Sequence, residues 1–223
     1  MQRHFFQYAL LVLILFPSFI YCSGNKIVIT NLNDGINFLS KKIIADSLYY
    51  SDPNISDLSK IDSLYKTAIQ AYDYDYSEAM LALTFTTLPY SKMPLKIPVL
   101  EIEVDIPLPS VNGKEFETKV KYLPSKYFFD SPDNAFGDKD KMPHFFASAF
   151  LSYNISFFNF SKFMGIFVEL FEQGFKIQGA VDQRDIVADN LGELFGDVLK
   201  NNKNILPSQI LSIYSLLYFS CDL

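Results

Sequence analysis

His144 stands in "DKDKMPHFFAS", with Asp140 and Lys141 just before it and an apolar run behind it, and it is one of two histidines in the chain. An imidazole titrates near neutral pH, so it can pass a proton, hold a metal or carry a pH-dependent charge. Carboxylates that could work with it follow at helical spacing. Glu169 and Glu172 lie three apart in "FMGIFVELFEQ", and Asp185, Asp189, Gly192 and Gly196 fall at i, i+4, i+7 and i+11 in "RDIVADNLGELFGDVL", which is one stripe of a helix. Glycine costs about 1 kcal/mol in a helix interior relative to alanine, so two on one stripe point to another helix passing close. Such an approach would partly enclose Asp185 and Asp189, and enclosed acids are expensive unless paired, protonated or bound to a cation.

Two chemistries suit this set. In one, His144 is a general acid/base with Glu172 and Asp185 as further catalytic groups, while Glu169, Glu172, Asp185 and Asp189 hold a divalent cation. One imidazole among many oxygens suits Mg, Mn or Ca better than Zn. In the other, His144 and Lys141 pair with the acids and lock helices together, since buried polar networks often specify packing. Glu169 and Glu172 alone also read as the solvent stripe of an amphipathic helix. No G-x-S-x-G nucleophile motif is present; Ser148, one turn past His144, is the hydroxyl nearest to it in sequence.

The elements that must position these residues are mostly helical. Apolar spacing predicts helices over Asn31–Tyr50 and Ser56–Phe85, separated by a turn at Pro53 and Asn54, with "AYDYDYSEAM" as a helix end whose acids face solvent. In the middle the period changes to two. "IPVLEIEVDIPLP" sets Leu100, Ile102, Val104 and Ile106 on a half-buried face opposite Glu101, Glu103 and Asp105, and "EFETKVKYLP", after the turn signal "VNGK", is its expected antiparallel partner with lysines outside. The helical pattern returns over Pro143–Phe158, Phe160–Lys176, Arg184–Lys200 and Pro207–Phe219. The expected fold class is α+β, mostly α: a C-terminal helical bundle over residues 131–223, and residues 25–130 forming N-terminal helices plus a small hairpin, together one compact unit.

The first 24 residues read as a signal peptide: Arg3, an apolar core over Tyr8–Phe16, Pro17, then Cys22, Ser23 and Gly24. Cys22 is also a candidate lipidation site, although Tyr21 before it is larger than that modification usually allows. Beyond the leader, 18 of the 19 basic residues face 25 acidic ones, a net charge of −7 with no Lys/Arg cluster, which argues against nucleic acid and anionic headgroups as partners. Cys22 and Cys221 are the only cysteines, too few for a metal or redox framework. Association with a membrane surface or with another envelope protein is compatible with this composition.

"DKMPHFFAS", the "ExxE" helix and "DIVADNLGELFG", in that order, resemble the YfiM type of bacterial envelope lipoproteins and, more distantly, the VanZ-like membrane proteins. The shared pattern falls on Asp140, Lys141, His144, Phe145, Glu169, Glu172, Asp185, Asp189, Gly192 and Gly196, and spans Asp138 to Gly196, about a quarter of the chain. The resemblance implies an exported module, periplasmic or associated with the outer membrane of a Gram-negative bacterium, and assigns no reaction. VanZ-like proteins carry Asn where Asp189 stands and Gln where Glu172 stands, and they span membranes, which these more polar helices are not expected to do.

Overall fold

The computed structural model describes residues 29–97, 102–155 and 182–216. Asn31 caps α1 (Leu32–Ala45), its side chain accepting from the Asn33 N–H at 2.8 Å, and Ile36, Leu39 and Ile43 turn one stripe inward. The expected first helix ends early, at Asp46, and a short α2 (Ser47–Ser51) completes it. Ser56 caps α3 (Asp57–Ala71), accepting from the Ser59 N–H at 3.2 Å, and buries Ile61, Leu64, Tyr65, Ala68 and Ile69.

The single helix expected over Ser56–Phe85 is two. Asp73 and Tyr74 take left-handed backbone angles (φ 50° and 69°), and the Tyr74 N–H bonds back to the Ile69 carbonyl at 2.8 Å, a pattern that closes a helix. Asp75 then caps α4 (Tyr76–Thr87), accepting from the Glu78 N–H at 3.1 Å. "AYDYDYSEAM" is therefore one helix end and the next helix start.

The middle of the chain holds a two-stranded antiparallel sheet, β1 (Lys92–Ile97) and β2 (Ile102–Pro107), in a register that sets Lys96 opposite Glu103. Lys92 Nζ reaches Asp105 at 3.5 Å, so the acidic strand meets a lysine of the upstream "KMPLKI". The segment expected to pair with it, "EFETKVKYLP", is instead α5 (Gly113–Tyr122). Its alternation is compatible with both periods, because Phe116 and Val120 also share a helix face. Lys119, expected on the outer face of a strand, is only 1% exposed, and its ammonium donates to the Thr86 and Leu88 carbonyls at the end of α4, at 2.8 and 2.7 Å. The face of β2 expected to be half-buried is open at Val104, and Met93 of β1 is open as well.

The remaining elements are α6 (Lys141–Asn154), α7 (Gln183–Asn201) and α8 (Pro207–Leu211), the last with Pro207 at its first position and Ser208 held by Asp62 of α3 at 2.6 Å. α6 and α7 run side by side in the same direction: Lys141, His144, Ser148 and Ser152 meet Asp185, Asp189 and Asp197 in ascending order. A Cβ on Gly192 would overlap the Phe145 carbonyl, and one on Gly196 the Ala149 carbonyl, so the two helices pass close at both glycines.

One apolar core joins α1, α3, α4, α6, α7 and α8 across both halves of the described chain. Phe195 sits at its centre, edge-on to Tyr65 (5.4 Å between centroids) and tilted against Phe145 (5.3 Å). Burying each large side chain of this kind stabilises the fold by roughly 1.5–3 kcal/mol. The architecture is α+β and mostly α, with its small sheet in mid-chain. Among the described residues no helix is long and apolar enough to cross a membrane.

Candidate functional site

The N-termini of α6 and α7 lie together and bring opposite charges into contact. Lys141 is the first residue of α6, where a cation opposes the helix dipole, and its side chain is 3% exposed. Three carboxylates hold it: Asp140 at 3.0 Å, Asp182 at 2.5 Å and Asp185 at 2.6 Å. Asp182 caps α7 by accepting from the Arg184 N–H at 2.9 Å, and Asp185 lies in the first turn, so both acids also favour their own helix start. Burial alone would lower the Lys141 ammonium, but hydrogen bonds to the three acids reverse this and hold it above the ordinary lysine range. The same ammonium keeps Asp182 below the usual carboxylate range.

One turn further, His144 faces the second pair of acids. Its Nδ1 lies 3.2 Å from Asp189, and its Nε2 lies 3.7 Å from Asp185. Burial pulls the imidazole down, as does Lys141 more weakly, while the hydrogen bond and charge of Asp189 and the charge of Asp185 pull it up; the net direction is upward. The ring is still 42% exposed, whereas Asp189 is nearly enclosed. Ser148 donates to Asp189 at 2.8 Å, so its hydroxyl is turned to the carboxylate and not to the imidazole. Ser152 donates to Asp197 at 2.8 Å, and Lys200 pairs with the same carboxylate at 2.7 Å.

A second, drier cluster braces the first. Asp138 is fully buried and accepts from the Tyr127 and Phe128 N–H groups, each at 3.1 Å, from the Ser131 hydroxyl and from the Arg184 guanidinium. Arg184 also lies 3.3 Å from Asp130. Gly137 makes the turn into this cluster with φ +54°, and the Asp138 N–H bonds to the Ser125 carbonyl at 2.8 Å. Asp138, Asp182 and Arg184 do not stand out in the sequence as site residues. Their signal is the alternating charge of "DKDK" and "DQRD" at two helix starts, which reads as ordinary capping until the helices are placed side by side.

The structure thus gathers Asp140, Lys141, His144, Asp185 and Asp189, with Gly192 and Gly196 allowing the approach. Glu169, Glu172 and Cys22, named above as candidate ligands, catalytic group and lipidation site, lie outside the described residues. Among the described residues no group of three or more His, Cys, Asp or Glu side chains is placed to hold a metal ion. The position a cation would take between Asp182 and Asp185 is taken by the Lys141 ammonium, so Mg, Mn or Ca binding there would have to displace the chain's own positive charge. Beside the cluster stand two exposed rings, Tyr90 and Phe136, with centroids 6.1 Å apart. The Tyr90 phenol is pushed up first by burial and then by the charge of Asp140.

Compared with protein-family models, curated proteins and solved structures, the chain finds no match in any of the three.

Proposed function

We propose that this chain is an exported cell-envelope protein whose helical module acts by structure and interaction, with the His144/carboxylate network as a clamp that sets how α6 meets α7. The observation that carries this reading is the triple carboxylate around Lys141. An ammonium satisfied by three acids from two helix starts is spent on joining those helices. The leader pattern and the order of the "DKMPH", "ExxE" and "DIVADNLGELFG" segments support the envelope location and the YfiM-like assignment.

A second reading is a His/carboxylate acid-base enzyme acting on a lipid-linked or cell-wall substrate. The observation in its favour is that His144 is held by Asp189 yet keeps 42% of its side chain open. An oriented, accessible imidazole with a raised pKa can deliver a proton. His144→Ala separates the two. Under the clamp reading its melting temperature falls by several degrees, and any loss of the envelope phenotype follows the loss of folded protein. A variant with unchanged melting temperature and no phenotype rescue would transfer the role to catalysis.

A further inference from the structure

A groove distant in composition from the His144 cluster runs between α1, α2 and α3, with a volume of about 540 Å³, within the roughly 300–1,000 Å³ typical of small-molecule sites. Two helical stripes form its walls. Phe38 and Lys42 are one turn apart on α1, leading to Asp46 at its end, while Ser63 and Gln70 lie two turns apart on α3. Tyr50 of α2 also lines it.

The polar groups here are unevenly used. Thr67 spends its hydroxyl on the Ser63 carbonyl at 2.9 Å, and Lys42 and Asp46 pair at 2.9 Å on the wall. Tyr50 is only 6% exposed and lines the groove, and its hydroxyl is not among the sealed, unpartnered polar atoms of the described residues. Phe38, by contrast, leaves 42% of its surface open at the rim.

We infer that this groove is a binding site for a neutral pyranose sugar. Such a ring has an apolar C–H face that stacks on an aromatic side chain, which Phe38 offers, and equatorial hydroxyls that both donate and accept. A vicinal pair can accept from Lys42 and donate to Asp46 without breaking their charge balance, while Tyr50, Ser63 and Gln70 supply further polar groups along the groove. A charged ligand would instead meet one partner and one opponent in the Lys42/Asp46 pair.

Saturation-transfer NMR on the full chain with maltose, cellobiose and N,N′-diacetylchitobiose tests this. The expected result is transfer to the ring protons of at least one disaccharide with a millimolar or tighter Kd. Phe38→Ala weakens it about tenfold and Tyr50→Phe several-fold. Phe38 and Gln70 are solvent-facing, so Phe38→Ala and Gln70→Ala are expected to keep the wild-type melting temperature, and His144→Ala is expected to leave sugar binding unchanged. No transfer to any of the three sugars at tens of millimolar, or binding undiminished in both Phe38→Ala and Gln70→Ala, would overturn the assignment. Tighter binding of glucuronate than of glucose would overturn its neutral character.

Discussion

Lys119 and Lys141 carry the same charge into the interior and meet opposite surroundings. Lys141 finds three carboxylates, whereas Lys119 finds two backbone carbonyls and the Phe116 ring, 4.6 Å away, with burial pushing its amine down to about 7. The neutral amine, with two N–H donors, already satisfies both carbonyls, so folding favours it once the solvent no longer protonates the unfolded chain. The unfolded lysine keeps its proton up to roughly pH 10.4, so the unfolded state binds more protons between about pH 7 and that value. The Lys119 contribution to stability therefore rises through this window and is lost as pH falls to about 7. Denaturant titrations of wild type and Lys119→Met at pH 7 and pH 9 should show the wild type gaining on the variant at the higher pH; parallel curves would contradict the buried, uncompensated amine. His144 has the opposite sign. Its folded pKa is raised, so its contribution is full below about pH 6.5 and is lost as pH rises through the folded value. His144→Ala should remove a decline in stability on the alkaline side of that point, read from melting temperatures across pH 5.5 to pH 8.5, on the order of the window set by an imidazole.

At the scale of elements, the contact between α6 and α7 depends on Gly192 and Gly196 lying against the Phe145 and Ala149 carbonyls. Those obstacles are backbone and cannot rotate away, so Gly192→Ala and Gly196→Ala should each destabilise by about 1–3 kcal/mol, despite the gain in helix propensity. Equilibrium unfolding in urea measures this, and a neutral or stabilising Gly192→Ala would mean the helices do not meet there. The glycine stripe was readable because helix-interior glycines have few other uses, and Asp185 and Asp189 came with it on the same face. α5 was not readable: "EFETKVKY" fits both periods, and the choice is made by Lys119 capping a helix some 30 residues upstream, a contact no local window contains. The break inside the second expected helix was hidden for a different reason. Asp73 and Tyr74 take left-handed angles usually filled by glycine or asparagine, so the residue types gave no stop signal. Asp182 and Arg184 were invisible as site residues because caps and first-turn charges occur at most helix starts.

For the whole molecule, one apolar core runs through both halves of the described chain, so a substitution in the polar cluster between α6 and α7 acts against that shared core. The chain is acidic, with 25 Asp and Glu against 19 Lys and Arg, yet the α6/α7 junction concentrates Lys141, His144 and Arg184 against Asp130, Asp138, Asp140, Asp182, Asp185 and Asp189. Removing one member of such a buried set leaves others unpaired, so single substitutions exaggerate the worth of any pair. A double-mutant cycle avoids this. The most direct measurement is the cycle Lys141→Met, Asp185→Asn and the double variant, followed by urea unfolding of the full chain. If the ammonium and the carboxylate join α6 to α7, each single variant is destabilised by about 1–3 kcal/mol and the double variant by less than their sum, with a coupling of about 0.5–3 kcal/mol. Losses that add to within about 0.5 kcal/mol would show that Lys141 and Asp185 do not act on one another, and the clamp would no longer account for the site.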